Sequence, residues 1–445
     1  MGRHPRLVGS WGRLEKSFAL AALGLLIGNA LLTISSTHSS GESDDASAQS
    51  IDDANVNWIP VTNGLPTGLE YYGVYFGDVN NDGKLDVAAQ GGGMHVYIGD
   101  GLGNFVEQSS GLPAGGGSTD IILADFNNDG NLDVVGTEVY LGNGGGGGSM
   151  SWTLDNTPGA WSALTAVDVN LDGKMDIVAG TPAGVRVWTG DGGDGGSIVW
   201  TDSSVGLPMS GDSWGVAVGD INHDGKPDIV CADNGNGIRA WTGNGGTGPA
   251  SLWTDAYTGT GLPLTGSYAN AYLGDVNNDG SLDMVSTAYY SGNGVRVWLG
   301  NGGAGGSMVW TEDSTGLDTT AMGYLGVSLQ DTDNDGDLDI LASNHLGLGM
   351  RAWLGNGGAG GSMDWVEASM GLPVGNYIDV DAGDFNNDGK MDFLTSFDSG
   401  VEIWMNERPG FLVTGYTEIS NGLPTSLRWA DVVFEDANQD GKLDV

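Results

Sequence analysis

Residues 78–86 read Asp-Val-Asn-Asn-Asp-Gly-Lys-Leu-Asp, and this short stretch decides how the chain is organised. It places side-chain oxygens at positions 1, 3, 5 and 9 and a glycine at position 6. Ca²⁺ prefers about six to eight oxygen ligands, mostly from carboxylates, amides and backbone carbonyls. A glycine permits the sharp turn that gathers such ligands around one point. The stretch therefore predicts a calcium-binding loop.

The loop recurs seven more times, with first residues that lie between 43 and 56 residues apart: Asp125, Asp168, Asp220, Asp275, Asp331, Asp384 and Asp436. A single copy is weak evidence, because Asp and Asn also build ordinary turns. Eight copies at nearly constant spacing indicate an array of supersecondary units. Because three carboxylates within nine residues repel one another unless a cation lies between them, we expect up to eight structural Ca²⁺ ions.

The predicted metal site comprises positions 1, 3, 5, 7 and 9 of every loop. These residues are Asp78, Asn80, Asp82, Lys84, Asp86, Asp125, Asn127, Asp129, Asn131, Asp133, Asp168, Asn170, Asp172, Lys174, Asp176, Asp220, Asn222, Asp224, Lys226, Asp228, Asp275, Asn277, Asp279, Ser281, Asp283, Asp331, Asp333, Asp335, Asp337, Asp339, Asp384, Asn386, Asp388, Lys390, Asp392, Asp436, Asn438, Asp440, Lys442 and Asp444.

The surroundings of the loop exclude an EF-hand. That motif needs a glutamate at position 12 and two flanking helices. Position 12 is Ala89 in the first copy and Gly136 in the second. Each loop runs into a short apolar stretch, such as Val87-Ala88-Ala89, which is typical of a strand. The loop is therefore predicted to join two strands.

Each repeat follows one plan after its loop. A third strand, such as residues 185–188, leads through a glycine-rich hairpin to a fourth strand that is expected to end in Gly-Leu-Pro, as at residues 206–208. Four short strands per repeat predict an all-β fold, a β-propeller of four-stranded blades with the calcium loop between the first two strands. Tryptophans that recur in the last two strands are expected to pack between blades: Trp152, Trp188, Trp200, Trp241, Trp253, Trp298, Trp310, Trp353, Trp365 and Trp404.

The run from Phe76 to Val87 resembles the FG-GAP and VCBS repeats, which form the β-propeller of integrin α subunits and of many secreted microbial proteins. The resemblance covers residues 56–445 and all eight loops. It departs from the integrin pattern because the Gly-Ala-Pro segment is not recognisable and every repeat carries a calcium loop. We therefore do not expect this chain to recognise ligands in the way that integrins do.

The two ends of the array leave the blade number open. Residues 57–66 are typical of a fourth strand with no blade before it, and in propellers such a strand often completes the last blade. Residues 429–445 supply a first strand, a loop and the start of a second strand. Eight blades would need strands beyond Val445, so the sequence is expected to be truncated at its C-terminus. Seven blades that close near Glu407 are the alternative.

The N-terminus is typical of an export segment. Basic residues precede an apolar run over residues 18–34, and a polar stretch with the cleavage candidate Ala46-Ser47-Ala48 follows. We predict a signal peptide or N-terminal anchor over residues 1–36, a polar linker over 37–55 and the propeller over 56–445. The protein is thus expected to be secreted or on the cell surface. The single cysteine, Cys231, has no partner for an internal disulfide.

The composition limits the partners. The 445 residues carry a formal net charge of −42, and much of this acidity belongs to the predicted calcium loops. Such a charge argues against nucleic acid or an anionic lipid surface as a partner. Beyond a possible N-terminal anchor, no association with a membrane is therefore predicted.

A ligand face is predicted opposite the metal loops. Aromatic residues recur just before the first strand of each blade: Tyr71, Tyr72, Trp161, Trp214, Tyr268, Tyr324, Tyr377 and Trp429. Other residues extend the same face: Asp120, Asn270, Asp379, Asp381, Asp431, Tyr289, Tyr290, Asn344 and His345. Aromatic rings with a few carboxylates suit an extracellular carbohydrate or protein ligand. The alternative is that the rings only cap the blade cores.

The sequence thus predicts a secreted or cell-surface, calcium-binding propeller that acts as a ligand-binding or adhesion module. One alternative is the propeller domain of a polysaccharide-active enzyme such as a lyase, and another is a purely structural surface protein. No catalytic residue is predicted, because neither His95 nor His345 lies in a motif with a nucleophile. A fold of this kind does not decide between a binding module and an enzyme.

Overall fold

The computed structural model describes residues 58–406, apart from 61–62, 66–70, 85, 101–103, 116–119, 137, 146–147, 160, 247–251, 304–306, 359–361, 384–389 and 399. Within these residues the strands form seven antiparallel sheets, here called blades 1 to 7 in chain order. The regular structure is otherwise limited, over the same residues, to a 3₁₀ turn at Gly193–Gly195. No helix in this described part is long and apolar enough to cross a membrane.

The chain begins with β1 (Trp58–Pro60) and then builds blades 1 to 3. Blade 1 contains β2 (Gly73–Gly77), β3 (Asp86–Gln90), β4 (Met94–Gly99) and β5 (Phe105–Glu107). Blade 2 contains β6 (Ile122–Ala124), β7 (Asp133–Val135), β8 (Val139–Gly142) and β9 (Trp152–Leu154). Blade 3 contains β10 (Ala163–Val167), β11 (Asp176–Thr181), β12 (Gly184–Gly190) and β13 (Trp200–Asp202).

Blades 4 to 7 follow the same order. Blade 4 contains β14 (Ser213–Gly219), β15 (Asp228–Gly235), β16 (Gly237–Gly243) and β17 (Trp253–Asp255), and β18 (Gly266–Ser267) adds to β15. Blade 5 contains β19 (Asn270–Gly274), β20 (Asp283–Thr287), β21 (Val295–Gly300) and β22 (Trp310–Glu312). Blade 6 contains β23 (Tyr324–Gln330), β24 (Asp339–Asn344), β25 (Gly349–Leu354) and β26 (Val366–Glu367). Blade 7 contains β27 (Tyr377–Gly383), β28 (Asp392–Phe397), β29 (Gly400–Asn406) and, as its outer strand, β1.

The hydrophobic core lies between neighbouring blades. The second strand of a blade is covered on both faces, so all six residues of β11 are buried. Such strands are continuous runs of small or β-branched apolar residues, because both faces meet another sheet. The outer strands that follow third strands in chain order are only two or three residues long and are mostly exposed, as in β9, where Trp152 is buried and the next two residues are exposed. The predicted interblade packing of tryptophan is confirmed by Trp298 and Trp353, which are both 2% exposed.

The N-terminal segment joins the last blade to the first. Trp58 pairs with Asn406 of β29, and the Phe105 amide of blade 1 donates a 2.9 Å hydrogen bond to the Asn63 carbonyl. The described residues therefore show seven sheets closed by the N-terminal strand. The eighth repeat lies outside the described residues, so the predicted count of eight repeats stays a prediction.

The Gly-Leu-Pro motif has a different role from the one predicted. It does not end the fourth strand, since β13 stops at Asp202, before Gly206. Gly206 adopts a φ of +100°, and a Cβ there would overlap the carbonyl oxygen of Trp253 in the next blade. The following Leu207 is buried. The motif thus marks the point where the linker between two blades crosses the outer strand of the next blade. Only glycine lets the linker backbone come this close to that strand.

Candidate functional site

The acidic loops adopt one geometry in blades 1 to 6. In each loop the carboxylate at position 1 accepts the amide of position 5 at 2.9–3.1 Å and the amide of the position 6 glycine at 2.7–3.1 Å. The glycines have φ values between +81° and +96°, as expected for this turn. The first carboxylate of each of these loops therefore closes the same tight turn.

Position 4 of the loop also requires a left-handed backbone, which the sequence analysis missed. Its φ lies between +56° and +62° in all six loops. Asparagine, which tolerates this conformation best among non-glycine residues, occupies the position in four of them: Asn81, Asn128, Asn278 and Asn334. The recurring Asn-Asp-Gly of the repeat is thus partly a signal of backbone conformation.

The aspartate at position 9 ties the loop to its blade. In blade 4, one oxygen of Asp228 accepts the Ile221 amide at 3.0 Å and the other accepts the Gly243 amide at 2.8 Å. The same two bonds occur in the other five loops, with ranges of 2.7–3.0 Å and 2.8–3.0 Å. Because each carboxylate oxygen has two lone pairs, this anchoring role is compatible with the predicted metal ligation.

The residues present fit a divalent cation. Burial, together with the neighbouring loop carboxylates, raises the pKa of Asp133, Asp176 and Asp228 to about 8. A nearby positive charge is what would favour the ionised form of such carboxyl groups. In the sixth loop, carboxylate oxygens of Asp331, Asp333 and Asp335 lie within 4.8 Å of one another. Oxygen-only donors of this kind suit Ca²⁺.

Two of the eight predicted loops are not covered by this geometry. Residues 384–389 of the seventh loop and all of the eighth loop lie outside the described residues. In the described loops the position 7 amide donates to the position 5 carboxylate, for example from Lys84 to Asp82 at 2.9 Å. The Lys84 ammonium turns away and donates to the Asp100 carbonyl at 2.6 Å.

A cavity of about 560 Å³ opens where the first strands of several blades begin. Three aromatic rings form one wall of it. The ring centroids of Tyr289 and Tyr290 lie 4.6 Å apart, and the Trp214 ring lies 5.4 Å from Tyr290 and 6.3 Å from Tyr289. The rings contact one another edge-to-face or at a tilt, so together they form one aromatic cluster beside the cavity. Tyr72, Asp120, Asn270, Asp379 and His345 also line the cavity.

The polar groups of the cavity are held by the backbone. Asp120 accepts the Ile121 amide at 2.9 Å and the Leu164 amide of the next blade at 3.2 Å. Asn270 accepts the Ala271 amide at 2.8 Å. A Cβ on Gly215 would lie 2.7 Å from the Asn270 Cα, so a side chain there would push the two blades apart. These contacts fix the side-chain oxygens of Asp120 and Asn270 at the wall of the cavity.

The aromatic residues predicted for this face fall into two groups in the structure, those buried in the blade cores and those that line the cavity. Five of them cap blade cores: Tyr71, Trp161, Tyr268, Tyr324 and Tyr377, of which none is more than 5% exposed. The Tyr268 ring meets Trp298 edge-on at 5.8 Å, and burial raises the pKa of its phenol to about 12. Among the described aromatic residues that precede first strands, only Tyr72 and Trp214 line the cavity, together with Tyr289 and Tyr290, which were predicted to extend the face. The core-capping alternative is therefore confirmed for these five residues, and a ligand-binding role for the others stays a prediction.

Some predicted members of the face do not contribute to it. Asn344 is fully buried and holds a turn by donating to the Met322 carbonyl at 2.9 Å. Trp429, Asp431 and the side chain of Asp381 lie outside the part of the chain that the structure describes.

A model of the FG-GAP-like repeat matches residues 78–136, 168–231, 220–286, 275–342 and 384–445, which together make up more than half of the chain. The chain belongs to the FG-GAP-like repeat family. The predicted resemblance is thereby confirmed, and the matched ranges contain the acidic loops described above. No match was found among curated proteins.

Several solved structures share similarity with this FG-GAP-like chain. A lectin of Agrocybe aegerita, described for its specific recognition of non-reducing terminal N-acetylglucosamine, is 20% identical over 69% of this chain and 81% of its own, with a TM-score of 0.44. BBS1N in complex with ARL6DN is 10% identical over 79% and 98%, with a TM-score of 0.49. The V. cholerae biofilm matrix protein Bap1 is 13% identical over 82% and 87%, with a TM-score of 0.38. These values are too low to carry an argument about function.

A chain of hydrogen bonds backs the aromatic wall of the FG-GAP-like propeller, and sequence reasoning did not find it. The Tyr289 hydroxyl lies 3.3 Å from Nδ1 of His345, whose Nε2 lies 2.6 Å from Asp398. Asp398 also accepts the Asn376 side-chain amide at 2.7 Å. The chain links blades 5, 6 and 7, and it fixes the Tyr289 ring. No sequence signal joins these residues, because they lie in separate repeats.

Proposed function

We propose that this protein is an exported, calcium-stabilised β-propeller that binds a carbohydrate or protein ligand in the cavity lined by Trp214, Tyr289 and Tyr290, and thereby acts as an adhesion module. The proposal keeps the predicted export or anchor segment at residues 1–36, the linker at 37–55 and the propeller at 56–445. The observation that carries it is the aromatic cluster beside oxygens fixed by the backbone.

The chemistry of the cavity supports an uncharged carbohydrate best. The flat apolar face of a sugar ring stacks on aromatic side chains, while its hydroxyls donate to carboxylate and amide oxygens. Asp120, Asn270 and Asp379 supply such oxygens around the wall. The volume of about 560 Å³ falls within the range of small-molecule sites.

The charge of the cavity does not suit an acidic polysaccharide. Its described lining contains Asp120 and Asp379 but neither lysine nor arginine. Elimination from a uronic acid is helped by a positive group near the substrate carboxylate, and the two aspartates would instead repel that carboxylate. This electrostatic arrangement favours a binding module over a lyase.

Calcium enters the proposal as a structural ion. Positions 1, 3 and 5 of the loops would hold it through their side chains, as Asp331, Asp333 and Asp335 are arranged to do, and position 9 would complete the site. When bound, Ca²⁺ supplies the positive charge that offsets the repulsion between loop carboxylates. The loop residues fix the turn and anchor it to the blade through Asp228 and its equivalents.

A glycan and peptide array with matched variants tests the proposal. We expect Trp214→Ala and Tyr290→Ala to weaken binding about tenfold, which corresponds to roughly 1.4 kcal/mol of lost stacking. Met209→Ala is the control, because Met209 is an exposed apolar side chain that does not line the cavity. Binding that both aromatic variants leave intact, or the absence of any ligand, would refute the proposal.

A further inference from the structure

Three exposed apolar side chains lie at the cavity end of blade 6, and none of them lines the cavity itself. Met322 belongs to the linker before β23, Leu346 to the turn between β24 and β25, and Val374 to the linker before β27. They are 47%, 55% and 80% exposed. We call these three residues the blade 6 ridge. An exposed cluster of apolar side chains is a candidate interaction surface.

Close backbone contacts hold the segments of the ridge together. A Cβ on Gly323, the residue after Met322, would lie 2.6 Å from Cγ of Leu346. On the other side of the same turn, a Cβ on Gly349 would lie 2.5 Å from the Cα of Val374. The Gly349 amide also donates a 3.1 Å hydrogen bond to the carbonyl of the residue after Val374. The ridge therefore consists of one turn with a linker packed against each side.

A carboxylate lies within the ridge. Asp398, in the turn after β28 of blade 7, lies 2.6 Å from Nε2 of His345, the residue before Leu346. It also accepts the side-chain amide of Asn376, which closely follows Val374 in the same linker, at 2.7 Å. The Asp398 side chain is 45% exposed. The apolar side chains of the ridge therefore flank a negative group that solvent reaches.

The positive charges of the described residues lie on the other face or are already paired. Each lysine in the described part of the chain occupies position 7 of a metal loop, beyond the end of a first strand: Lys84, Lys174, Lys226 and Lys390. The ridge lies at the opposite end, where first strands begin. Arg351 of blade 6 pairs with Glu367 at 2.8 Å. The ridge thus combines apolar side chains with an uncompensated negative charge.

We propose that the blade 6 ridge binds a protein segment that carries lysine or arginine beside apolar side chains. The apolar stem of a lysine can cover Leu346 and Val374 while its ammonium group reaches Asp398. The flexible side chain of Met322 adapts to the shape of an apolar neighbour. An acidic segment would be repelled by Asp398. This partner differs from the uncharged ligand proposed for the cavity, so the ridge is a second binding surface.

Fluorescence anisotropy with labelled peptides tests the proposal. The probes share a Leu-Trp-Leu centre that is flanked by lysines, by serines or by glutamates. The titration contains calcium and is done at mildly alkaline pH, where imidazole side chains are ordinarily neutral. We expect the lysine-flanked peptide to bind about tenfold more tightly than the serine-flanked peptide, and the glutamate-flanked peptide to bind most weakly. Added salt should narrow these differences.

Uncharged substitutions separate the ridge from a general attraction between a cationic peptide and an acidic protein. Leu346→Ser and Val374→Ser should each weaken binding of the lysine-flanked peptide about tenfold, because the apolar contact is lost. Leu154→Ser is the matched control, since Leu154 lies on the outer strand β9 and is also 55% exposed. It should leave the affinity unchanged. Asp398→Asn should reduce the preference for lysine over serine in the peptide.

The comparison of the variants decides the outcome. Affinity that falls in the ridge variants but not in Leu154→Ser supports the proposal. Equal binding of the lysine-flanked and serine-flanked peptides, equal affinity of Leu346→Ser and the unmodified protein, or the absence of peptide binding would overturn it. If Leu346→Ser lowers the melting temperature, Met322→Ser takes its place in the comparison. The assay contains no carbohydrate, so a failure of glycan binding in the cavity would not affect the result.

Discussion

The backbone amide of Gly195 in blade 3 donates a 2.7 Å hydrogen bond to the carbonyl of Asn127 in the acidic loop of blade 2. The glycine-rich hairpin of blade 3 thus covers the predicted calcium loop of blade 2. Close approaches at the same kind of place recur in two other blades, where added Cβ atoms on Gly303 and Gly358 would lie 3.2 and 3.0 Å from the backbone oxygens of Asn222 and Asn277. The predicted metal loops of blades 2, 4 and 5 are therefore part of interfaces between blades.

This placement predicts that removal of calcium loosens the whole ring. An ion that binds only the folded state raises the free energy of unfolding. The increase grows with the logarithm of the ratio between the ion concentration and the dissociation constant. We expect a chelator to lower the melting temperature, and added Ca²⁺ to raise it in graded steps. Calorimetry over a calcium titration checks this, with Mg²⁺ as the control ion. A melting temperature that does not change with the Ca²⁺ concentration would contradict the predicted metal sites.

A second prediction concerns the contact between neighbouring loops. Asn278 of the fifth loop donates to Asp337 of the sixth loop at 2.7 Å, and a Cβ on Gly357 would overlap the same carboxylate oxygen. Gly357→Ala should therefore lose this bridge, at about 1–3 kcal/mol, in addition to the strain of its left-handed backbone. Gly347→Ala separates the two effects, because Gly347 has a φ of +92° but open space around it. Equal unfolding free energies for the two variants would exclude a role for the bridge.

The sequence was sufficient to predict the parts of the fold that repeat. Alternation between an acidic loop and short apolar runs predicted the four strands and the propeller, because each run has the length and composition of a strand. The Gly-Leu-Pro motif was misread, since a glycine pattern shows where the backbone is special but not which neighbour comes close. Gly206 has its role because of Trp253, which lies 47 residues away.

The candidate binding site was predictable only in outline. The recurrence of aromatic residues before each first strand located the face that contains the cavity, but it did not separate Trp214 from Tyr268. That difference arises from the partner: the Tyr268 ring packs on Trp298, whereas Trp214 meets Tyr290, which is 58% exposed. Such partners belong to different loops, and one sequence contains no signal that pairs them.

The third loop contains a residue that strains its backbone. Leu171 holds position 4 with a φ of +60° and is 58% exposed. A leucine in this conformation costs roughly 1–2 kcal/mol relative to the right-handed region, whereas asparagine tolerates it. Leu171→Asn should therefore stabilise the protein by up to about 1 kcal/mol, measured by denaturant unfolding. Leu264→Asn, at an exposed leucine outside the left-handed region, should give no gain. Equal effects of the two substitutions would contradict the strain argument.

Arginines on the third strands hold the interblade linkers. Arg296 pairs with Glu312, and it also donates to the carbonyls of Asn293 at 3.0 Å and Thr319 at 3.2 Å. Glu312 is 43% exposed, so the ion pair itself contributes little. We expect Arg296→Lys to cost about 1–2 kcal/mol because the carbonyls lose their planar donor. Glu312→Gln should cost less than about 1 kcal/mol. Chemical denaturation measures the loss of unfolding free energy in each variant. A larger loss in Glu312→Gln than in Arg296→Lys would show that the ion pair matters more than the linker contacts.

The single thiol reports on the opening of blade 4. Cys231 is fully buried in β15, and burial raises the pKa of its thiol to about 12. Because the thiolate is the reactive form, both exclusion from solvent and the raised pKa slow its modification. We expect almost no reaction with a disulfide reagent at mildly alkaline pH in the calcium-loaded protein.

Chelation should increase the rate of Cys231 modification, because the loop from Asp220 to Asp228 leads directly into β15 and its loosening opens the strand. Labelling in guanidinium gives the rate of the accessible thiol for comparison. A native protein that reacts at that rate even with calcium would show that blade 4 does not protect its core.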